Sequence, residues 1–321
     1  MNKRPFIIDC DTGTDDAIAI VAALGLDDID IVGITSVNGN VGEKYTSANN
    51  LDLMEYLGYS FPVCHGAVLP LTGNRFTATD ARIHGKKGLG NIELPEARNS
   101  FFEERLASRF IYEEAKKRNG ELELLVTGPM TNIAICVIQY PDFKDYIRHI
   151  YFMGGSTVGG NVNTTAEFNI WVDPEACHTV LNCGIPLTMV GLNVSNLAVM
   201  SEKEAELIRS FDSLESDLVA DLLEYQMNRF HDFKGARMHD PLALASAFYP
   251  ECMKYEKYYV DAECKGEYTR GHTAADMKFK LGKEVNVDVA VDIDVEGFIK
   301  WLCERIRQAS IKGKELRKQN A

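Results

Sequence analysis

The chain has 321 residues and a formal net charge of −13, from 47 acidic side chains against 34 lysines and arginines. Nucleic-acid binding requires concentrated positive charge, so this balance excludes nucleic acid as an expected partner. Apolar residues make up 45% of the chain, enough for a large core. No apolar run reaches about eighteen residues, which predicts that no segment spans a membrane.

The N-terminal stretch and the cysteines indicate a cellular compartment. The opening residues MNKRPFIIDC lack the apolar segment of a secretory signal. None of the eight cysteines forms a C-x-x-C pair, and several lie in apolar segments. This pattern is typical of reduced, buried thiols rather than of disulfides or a zinc site. We therefore expect a cytoplasmic protein.

Strand-like and helix-like patterns alternate from the N-terminus onward. The successive pairs are PFIID and DDAIAIVAALG, IDIVGITSVNGN and EKYTSANNLDLMEYLG, ELELLVTG and PMTNIAICVIQ, RHIYFMGG and DPEACHTVLNCG, and IPLTMVGLNVS followed by a helical stretch from Ser201 to about Arg229. Short apolar strands that alternate with helices predict βαβ units. We therefore expect an α/β fold with an open, mostly parallel, Rossmann-like sheet flanked by helices. It would form one domain over residues 1–321, with a solvated tail from Gly313.

In such a sheet, ligands bind beyond the carboxyl ends of the strands. Polar residues close the predicted strands at these ends. They are residues 9–16, Asn38, Asn40, Thr127, residues 153–169 and Asn193. Each group follows a different strand, so the fold would bring all of them to one rim.

Four aspartates, at positions 9, 11, 15 and 16, crowd the end of the first predicted strand and the start of the next helix. A simple alternative is that Thr14 or Asp15 caps this helix, since a helix N-terminus carries partial positive charge. Capping accounts for one or two of the four carboxylates only. Carboxylates this close raise one another's pKa unless a cation neutralises them, and hard oxygen ligands select Ca²⁺ or Mg²⁺. The cluster therefore predicts a bound divalent cation.

Known motifs with similar spacing do not match. An EF-hand loop counted from Asp9 requires Gly at its sixth position and Glu at its twelfth, where this chain has Thr14 and Ile20. The stretch DCDTG ends in Gly13, where a phosphatase of the D-x-D-x-T or D-x-D-x-V type carries Thr or Val. The chain has no G-x-x-x-x-G-K-[ST] loop and no G-x-G-x-x-G after a strand, which argues against nucleoside triphosphates and dinucleotides as ligands.

The N-terminal stretch resembles the inosine–uridine-preferring nucleoside hydrolase family, whose motif is D-x-D-x-G-x-D-D. Further stretches are similar to family blocks and occur in family order: GN at Gly39, HGKKGLG from His84, TGPMTNIA from Thr127, MGG from Met153, GNVNTTAEFNIWVDPEA from Gly160 and HDPLA from His239. They cover the chain from Asp9 to about Ala243, and YVDAECKGEYTRGHTAADM is similar to a weaker C-terminal block. The resemblance implies an open α/β enzyme that hydrolyses the N-glycosidic bond of ribonucleosides with a tightly held Ca²⁺.

The resemblance also implies the metal ligands and the general base. The ligands would be the carboxylates of Asp11, Asp16 and Asp240 and the backbone carbonyl of Thr127, with Asp9 supporting them. Ca²⁺ binds six to eight oxygens, so it can hold a water and ribose hydroxyls as well. Asp11 would accept the proton of the attacking water.

Ribose binding is likewise implied by the resemblance. Asp15, Asn161, Glu167 and Asn169 would bind the ribose hydroxyls, Met153 would pack near the sugar, and Asn40 would lie beside Asp11. Departure of the base leaves positive charge on the sugar, as in glycoside cleavage generally. Carboxylates such as Asp15 and Glu167 would stabilise that charge as it develops.

The resemblance implies fewer residues for the part of the site that would bind the nucleobase. His239, next to Asp240, would protonate the leaving base, given a histidine pKa near neutrality. Relatives that prefer purines carry Trp in its place, so His239 favours pyrimidine ribonucleosides, with inosine as a further substrate. His84, Gln226 and Phe230 would contact the base, although Phe230 could equally pack in the core. Phe168, assigned to the substrate site, has the same packing alternative.

Two other functions remain open at this point. A Mg²⁺-dependent phosphatase built on DCDTG would act on phosphate esters and leave unphosphorylated nucleosides intact. A non-catalytic nucleoside-binding protein would keep the fold and release no ribose. Relatives form homodimers or homotetramers, which the resemblance implies for this chain as well.

Overall fold

The computed structural model describes residues 3–72, 81–229 and 235–319. The strands in these ranges are β1 (Arg4–Cys10), β2 (Ile29–Ser36), β3 (Val63–Cys64), β4 (Leu122–Val126), β5 (Ile147–Met153), β6 (Leu187–Val190), β7 (Val199–Met200), β8 (Ala236–Arg237), β9 (Met253–Tyr258), β10 (Val260–Ala262), β11 (Thr273–Ala275) and β12 (Val287–Ile293). The helices are α1 (Thr14–Leu24), α2 (Glu43–Leu57), α3 (Ala81–His84), α4 (Ala107–Arg118), α5 (Thr131–Gln139), α6 (Phe168–Val172), α7 (Pro174–Leu181), α8 (Leu192–Ser195), α9 (Glu202–Arg209), α10 (Leu214–Arg229), α11 (His239–Phe248) and α12 (Val295–Gln319). None of these helices is long and apolar enough to cross a membrane.

Eight strands form the central sheet, in the order β3-β2-β1-β4-β5-β6-β12-β9. Every neighbouring pair is parallel except β12 and β9, which run antiparallel at one edge. The predicted open, mostly parallel α/β sheet is thus confirmed. Two short antiparallel pairs, β10 with β11 and β7 with β8, lie outside it.

The central strand β1 separates two hydrophobic cores because its side chains alternate between the faces of the sheet. Phe6 and Ile8 belong to the core on one face, and Ile7 belongs to the core on the other. Helix α1 lies on the first face and is buried along its whole length, packed against α10, α11 and α12. This burial holds the start of α1, which carries two of the four aspartates, rigidly at the end of β1.

One prediction about the second half of the chain was wrong. The helical stretch from Ser201 to Arg229 is two helices, α9 and α10, separated by a turn in which Asp212 has a left-handed φ of 54°. The Ser213 hydroxyl accepts a hydrogen bond from the Ser216 backbone N–H and starts the second helix. The tail from Gly313 is helical as far as Gln319, and its residues Lys314, Glu315, Lys318 and Gln319 are exposed, as a solvated segment requires.

Candidate active site

The loop between β1 and α1 places its aspartates by hydrogen bonds to its own backbone. Gly13 is the residue that caps α1, and its N–H donates to Asp16 Oδ2 at 2.8 Å. The cap therefore uses the Asp16 carboxylate, not Thr14 or Asp15 as the simple alternative supposed. Capping accounts for one of the four aspartates, and the other three need another explanation.

Three buried carboxylates converge at the start of α1. Ligand oxygens of Asp15, Asp16 and Asp240 all lie within 4.8 Å of one another. Burial, followed by the negative charge of Asp16, raises the pKa of Asp15 to about 7. Burial and then the charge of Asp15 raise the pKa of Asp240 well above its usual range. So much negative charge in one buried place requires protons or a cation.

Asp11 lies beside this cluster and has one unpaired oxygen. Its Oδ2 accepts a hydrogen bond from the Asn40 backbone N–H at 2.6 Å. Its Oδ1 is buried and has no hydrogen-bond partner among the described residues. Burial, followed by the charge of Asp16, raises the pKa of this carboxyl well above its usual range. A buried, unpaired carboxylate oxygen is costly unless a ligand or a cation completes it.

Two glycines leave the space that the Asp11 carboxylate occupies. A Cβ on Gly39 would overlap Asp11 Oδ2, and a Cβ on Gly128 would lie 3.0 Å from Asp11 Oδ1. Gly13 makes similar room, since a Cβ there would lie 2.8 Å from the Asn40 side-chain nitrogen. A side chain at Gly39 or Gly128 would therefore displace the Asp11 carboxylate or the backbone beside it.

Asp9 in β1 and Thr127 directly after β4 lie near the cluster. Asp9 Oδ1 accepts hydrogen bonds from the Thr35 hydroxyl and from Asn132 Nδ2, while Asp9 Oδ2 is buried and unpaired among the described residues. Burial raises the pKa of Asp9 to about 7. Thr127 donates its hydroxyl hydrogen to Asp16 Oδ1 at 2.7 Å. The hydrogen bonds of Asp9 go to Thr35 and Asn132, and its supporting role at the cation stays a prediction.

A divalent cation fits this group of residues. The donors are carboxylate oxygens, which hard cations prefer, and several are buried, close together and incompletely hydrogen-bonded. The Thr127 carbonyl oxygen, expected as a ligand, accepts a hydrogen bond from Asn169 Nδ2 at 2.7 Å, and a carbonyl oxygen has two lone pairs. Asp15, expected at the ribose, offers a carboxylate oxygen within 4.8 Å of ligand oxygens of Asp16 and Asp240. Asp15 is therefore a further residue that could hold a cation.

Glu167 and Asn169 lie at the start of α6, and backbone hydrogen bonds fix both side chains. Glu167 caps α6 and accepts hydrogen bonds from the backbone N–H groups of Gly155 and Asn169, at 3.0 and 2.9 Å. Burial raises its pKa to about 7. Asn169 Nδ2 also donates to the Met153 carbonyl oxygen at 3.1 Å, which places the end of β5 beside Thr127.

The remaining residues predicted for the ribose are arranged differently. Asn40 is half-buried and its side-chain nitrogen donates to Asp16 Oδ2 at 3.1 Å. Asn161 is exposed on the loop before α6, where its backbone N–H donates to the Ala166 carbonyl. Phe168 is half-buried on the first turn of α6. The structure therefore brings Asn40 to the carboxylates and leaves Asn161 at the surface.

Two histidines were predicted to lie near the leaving base, and one of them, His84, contacts the N-terminus of α1. His84 Nδ1 is 3.3 Å from the Thr14 hydroxyl oxygen, which accepts a hydrogen bond from Gln226 Nε2 at 2.8 Å. His239 Nδ1 is 2.8 Å from the Ser195 hydroxyl oxygen. Phe230 lies outside the described residues. The predicted base-side residues His84 and Gln226 are thus joined through Thr14.

Burial makes both histidines weaker bases than the sequence pattern indicated. It lowers the pKa of His84 to about 4. Burial, with the charges of Arg237 and His84, lowers the pKa of His239 to about 3. Both rings are therefore neutral at pH 7, and each carries a hydrogen on only one nitrogen.

Several residues of this site were missed from the sequence. Thr14, Ser195 and Asn132 hold site residues by side-chain hydrogen bonds, yet each is a common polar residue in a helix. Asn132 lies within the block TGPMTNIA, so that block was the available signal. Ser195 follows a strand end, but its partner is 44 residues away and only the fold brings them together.

The chain was compared with known proteins. Residues 6–300 match the family model described as inosine-uridine preferring nucleoside hydrolase. The chain is 37% identical over 311 residues to a pyrimidine-specific ribonucleoside hydrolase, RihA, of Salmonella gallinarum, covering 94% of this chain and 98% of that protein. Its structure is similar to a purine-preferring ribonucleoside hydrolase from Gardnerella vaginalis, with a TM-score of 0.90, 33% identity and coverage of 96% and 99%. It is also similar to a plant nucleoside hydrolase, with a TM-score of 0.89, 29% identity and coverage of 94% and 98%.

Proposed function

Because the chain belongs to the inosine-uridine preferring nucleoside hydrolase family, we propose that it hydrolyses ribonucleosides with a bound Ca²⁺ and prefers pyrimidine bases. The chain is an enzyme that hydrolyses the N-glycosidic bond of ribonucleosides, and the family resemblance of its sequence blocks is confirmed. Neither the phosphatase nor the non-catalytic binding protein agrees with this family. Our proposal concerns the identity of the metal, the roles of the site residues and the preference for a base.

The observation that carries the proposal is the set of buried carboxylates with an unpaired oxygen at Asp11. Asp11, Asp16, Asp240 and the Thr127 carbonyl would hold the cation, with Asp15 close enough to contribute. Ca²⁺, when bound, neutralises these carboxylates and provides oxygen coordination sites that order water and ribose hydroxyls. Its many and flexible coordination sites suit a cluster built for both protein and sugar oxygens.

Asp11 is the proposed general base. The oxygen of a water attacks C1′ of the ribose, and a hydrogen of that water passes to a carboxylate oxygen of Asp11. The Asn40 N–H fixes one Asp11 oxygen, and the other is free to take the proton. Gly39 and Gly128 leave the space in which the carboxylate lies, since a Cβ on either would crowd it.

The ribose is held by residues around the other side of the cluster. Asp15, Glu167, Asn169 and, from its exposed loop, Asn161 would bind the hydroxyls, with Met153 and Phe168 against the sugar. As the C1′–N bond breaks, its electron pair leaves with the base and C1′ becomes positive. Asp15 and Glu167 stabilise that charge as it develops.

His239 would contact the leaving base, and His84 and Gln226 would contact the base as well. His239 donates a hydrogen bond from its ring to the base while negative charge develops there, and relays to the base nitrogen a proton that comes from solvent. Phe230 keeps its proposed place at the base, outside the described residues.

Base preference is proposed from His239 and from one set of relatives. RihA of Salmonella gallinarum is named pyrimidine-specific, whereas the Gardnerella vaginalis structure is named purine-preferring. Since both are similar to this chain, overall similarity does not decide the base. The histidine at position 239 favours uridine and cytidine, with inosine a weaker substrate.

We also propose one catalytic domain over residues 1–321, because the central sheet takes strands from β1 near the N-terminus to β12 near the C-terminus. A cytoplasmic location is supported by the eight cysteines, which all lie in the described ranges as free thiols. The homodimer or homotetramer rests on the resemblance alone, and light scattering with size-exclusion chromatography tests it.

The experiment is a ribose-release assay on uridine, cytidine and inosine, with and without a calcium chelator. We expect the order uridine or cytidine above inosine, and loss of all three activities with the chelator. Asp11→Asn should lower kcat by about 10²- to 10⁴-fold, whereas Asp30→Asn, at an exposed position of β2, should leave it unchanged. Activity that survives both the chelator and Asp11→Asn would overturn the proposal.

A further inference from the structure

We propose that Ser195 is a positioning residue that holds the His239 ring by Nδ1, so that a hydrogen-bearing Nε2 faces the leaving base. The proposal rests on the proposed role of His239. It adds a residue that neither the sequence blocks nor the predicted site contained. Ser195 ends α8, directly beyond β6, and is fully buried.

The contact between Ser195 and His239 is built into the backbone around it. The Ser195 N–H donates to the Gly191 carbonyl at 3.0 Å, and the Met238 N–H donates to the Ala198 carbonyl at 2.8 Å. Immediately beyond, β7 and β8 pair antiparallel. The two segments that carry Ser195 and His239 are therefore joined, and the 2.8 Å distance between Oγ and Nδ1 is fixed by the fold.

The chemistry of a hydroxyl suits this position. A neutral imidazole carries one hydrogen, and a partner at Nδ1 decides which nitrogen has it. A backbone carbonyl there would only accept, which would place the hydrogen on Nδ1 and leave Nε2 bare. A serine hydroxyl can donate to Nδ1, so that the single hydrogen of the neutral ring stays on Nε2. Ser195 therefore favours the tautomer with a donor at Nε2.

The positioning role can be distinguished from a purely structural role with a substrate whose leaving group needs no proton. Ser195→Ala removes the hydroxyl and frees the ring, whereas Ser195→Thr retains a hydroxyl. Ser246→Ala is the matched control, because Ser246 is buried on the same helix as His239 and donates to the Ala243 carbonyl. The substrates are uridine and p-nitrophenyl riboside, whose leaving group departs as a stable anion.

We expect Ser195→Ala to lower kcat on uridine by roughly 10- to 100-fold and to change kcat on p-nitrophenyl riboside by less than about threefold. Ser195→Thr should recover most of the uridine activity, and Ser246→Ala should match the wild type on both substrates. Equal losses on the two substrates, or no loss on uridine, would overturn the proposal.

A ¹⁵N NMR measurement of the labelled histidine rings tests the same proposal without turnover. The His239 signals, assigned with His239→Gln, should show the hydrogen on Nε2 in the wild type and a mixture of tautomers in Ser195→Ala. A wild-type ring with its hydrogen on Nδ1 would contradict the role of Ser195. A wild type that hydrolyses no nucleoside would instead contradict the proposed function, and the NMR result would still decide the tautomer.

Discussion

Gly39 shows how one residue without a side chain sets the position of a catalytic carboxylate. Its Cα approaches Asp11 so closely that a Cβ would overlap Oδ2. The requirement is for space alone, since Gly39 is not among the glycines with positive φ. The family block GN contained this residue, but its physical reason becomes visible only when the loop after β2 lies against Asp11.

Gly39→Ala is therefore expected to displace Asp11 or the loop after β2. We expect a loss of about 1–3 kcal/mol in the free energy of unfolding from overpacking, together with a larger fall in kcat than in substrate affinity. Chemical denaturation and ribose release from uridine measure the two effects.

The matched control is Gly42→Ala. Gly42 lies three residues further on and has a φ of −59°, and a Cβ added there would meet no other atom within 4 Å. The substitution should leave kcat unchanged and cost about 1 kcal/mol of stability at most, because Gly42 is the N-cap of α2 and alanine caps a helix less well. A Gly39→Ala protein as active as the control would show that Asp11 is not confined in this way.

At the scale of elements, α5 joins the strands on either side of the site. Asn132 on α5 donates from Nδ2 to Asp9 Oδ1 at 2.8 Å and to the Ser36 carbonyl at 2.9 Å. Its Oδ1 accepts from the Ala67 N–H at 2.8 Å. One buried amide thus connects the ends of β1 and β2 to the segment after β3.

Asn132→Ala should destabilise the protein by about 1–3 kcal/mol, because it leaves buried polar partners without hydrogen bonds. Asn182→Ala removes an exposed asparagine at the end of α7 and serves as control, with a change near zero. Urea denaturation of the two variants measures the difference. Equal stability of both would mean that the Asn132 bonds are replaced by water at no cost.

The elements that sequence patterns predicted well are those with strong periodicity. The strands β1, β2, β4, β5 and β6 and the helices that follow them were placed from apolar runs that end in Gly or Asn. The strand β12 was not predicted, although it lies between β6 and β9 in the sheet. Its sequence VDVAVDI alternates apolar and acidic residues, which is the pattern of a strand near an edge.

The tail from Gly313 was predicted to be solvated because of its charged residues. Its contact with Glu215 on α10 could not be predicted from the sequence. Arg317 donates two hydrogen bonds to the fully buried Glu215 on α10, and a third to the Leu57 carbonyl. These contacts join residues more than 100 positions apart. The charge pattern therefore indicated the exposure of the tail but not that Arg317 ties it to α10.

For the molecule as a whole, the buried acids link stability to pH and to the cation. The pKa of Asp9 is raised from 3.8 to about 7, and that of Glu167 from 4.5 to about 7. In the cation-free protein, such groups hold protons in the folded state that the unfolded chain has lost. Their stabilisation is present below pH 4 and is lost as pH rises through about 7. The lowered pKa values of His84 and His239 act in the opposite direction below pH 6.5, but they are fewer than the raised carboxyls.

The difference in Tm between calcium-loaded and chelator-treated protein isolates the site from all other groups. Protons and cation compete for the same carboxylates, so the difference should widen between pH 5 and pH 8. Differential scanning calorimetry at both pH values measures it. A difference that stays constant over this range would mean that the cation binds elsewhere or not at all.

Site residues that are adjacent in the chain could be predicted from the sequence, whereas residues brought together only by the fold could not. The carboxylates of the loop after β1 are adjacent in the chain, and their crowding alone indicated a cation. Asp240 came from the family resemblance, and its place within 4.8 Å of Asp15 and Asp16 required the packing of α11 against α1. Thr14 and Ser195 act through side-chain hydrogen bonds to residues distant in the chain, which no local pattern encodes.

The central claim is that these carboxylates hold one calcium ion on which hydrolysis depends. The direct measurement is to strip the protein of metal, add Ca²⁺ in steps, and follow both the bound ion and the rate of ribose release from uridine. We predict no activity in the stripped protein and a rate that rises in proportion to bound calcium until one ion per chain, with Asp16→Asn binding far more weakly. Stripped protein that hydrolyses uridine at the full rate would contradict the account.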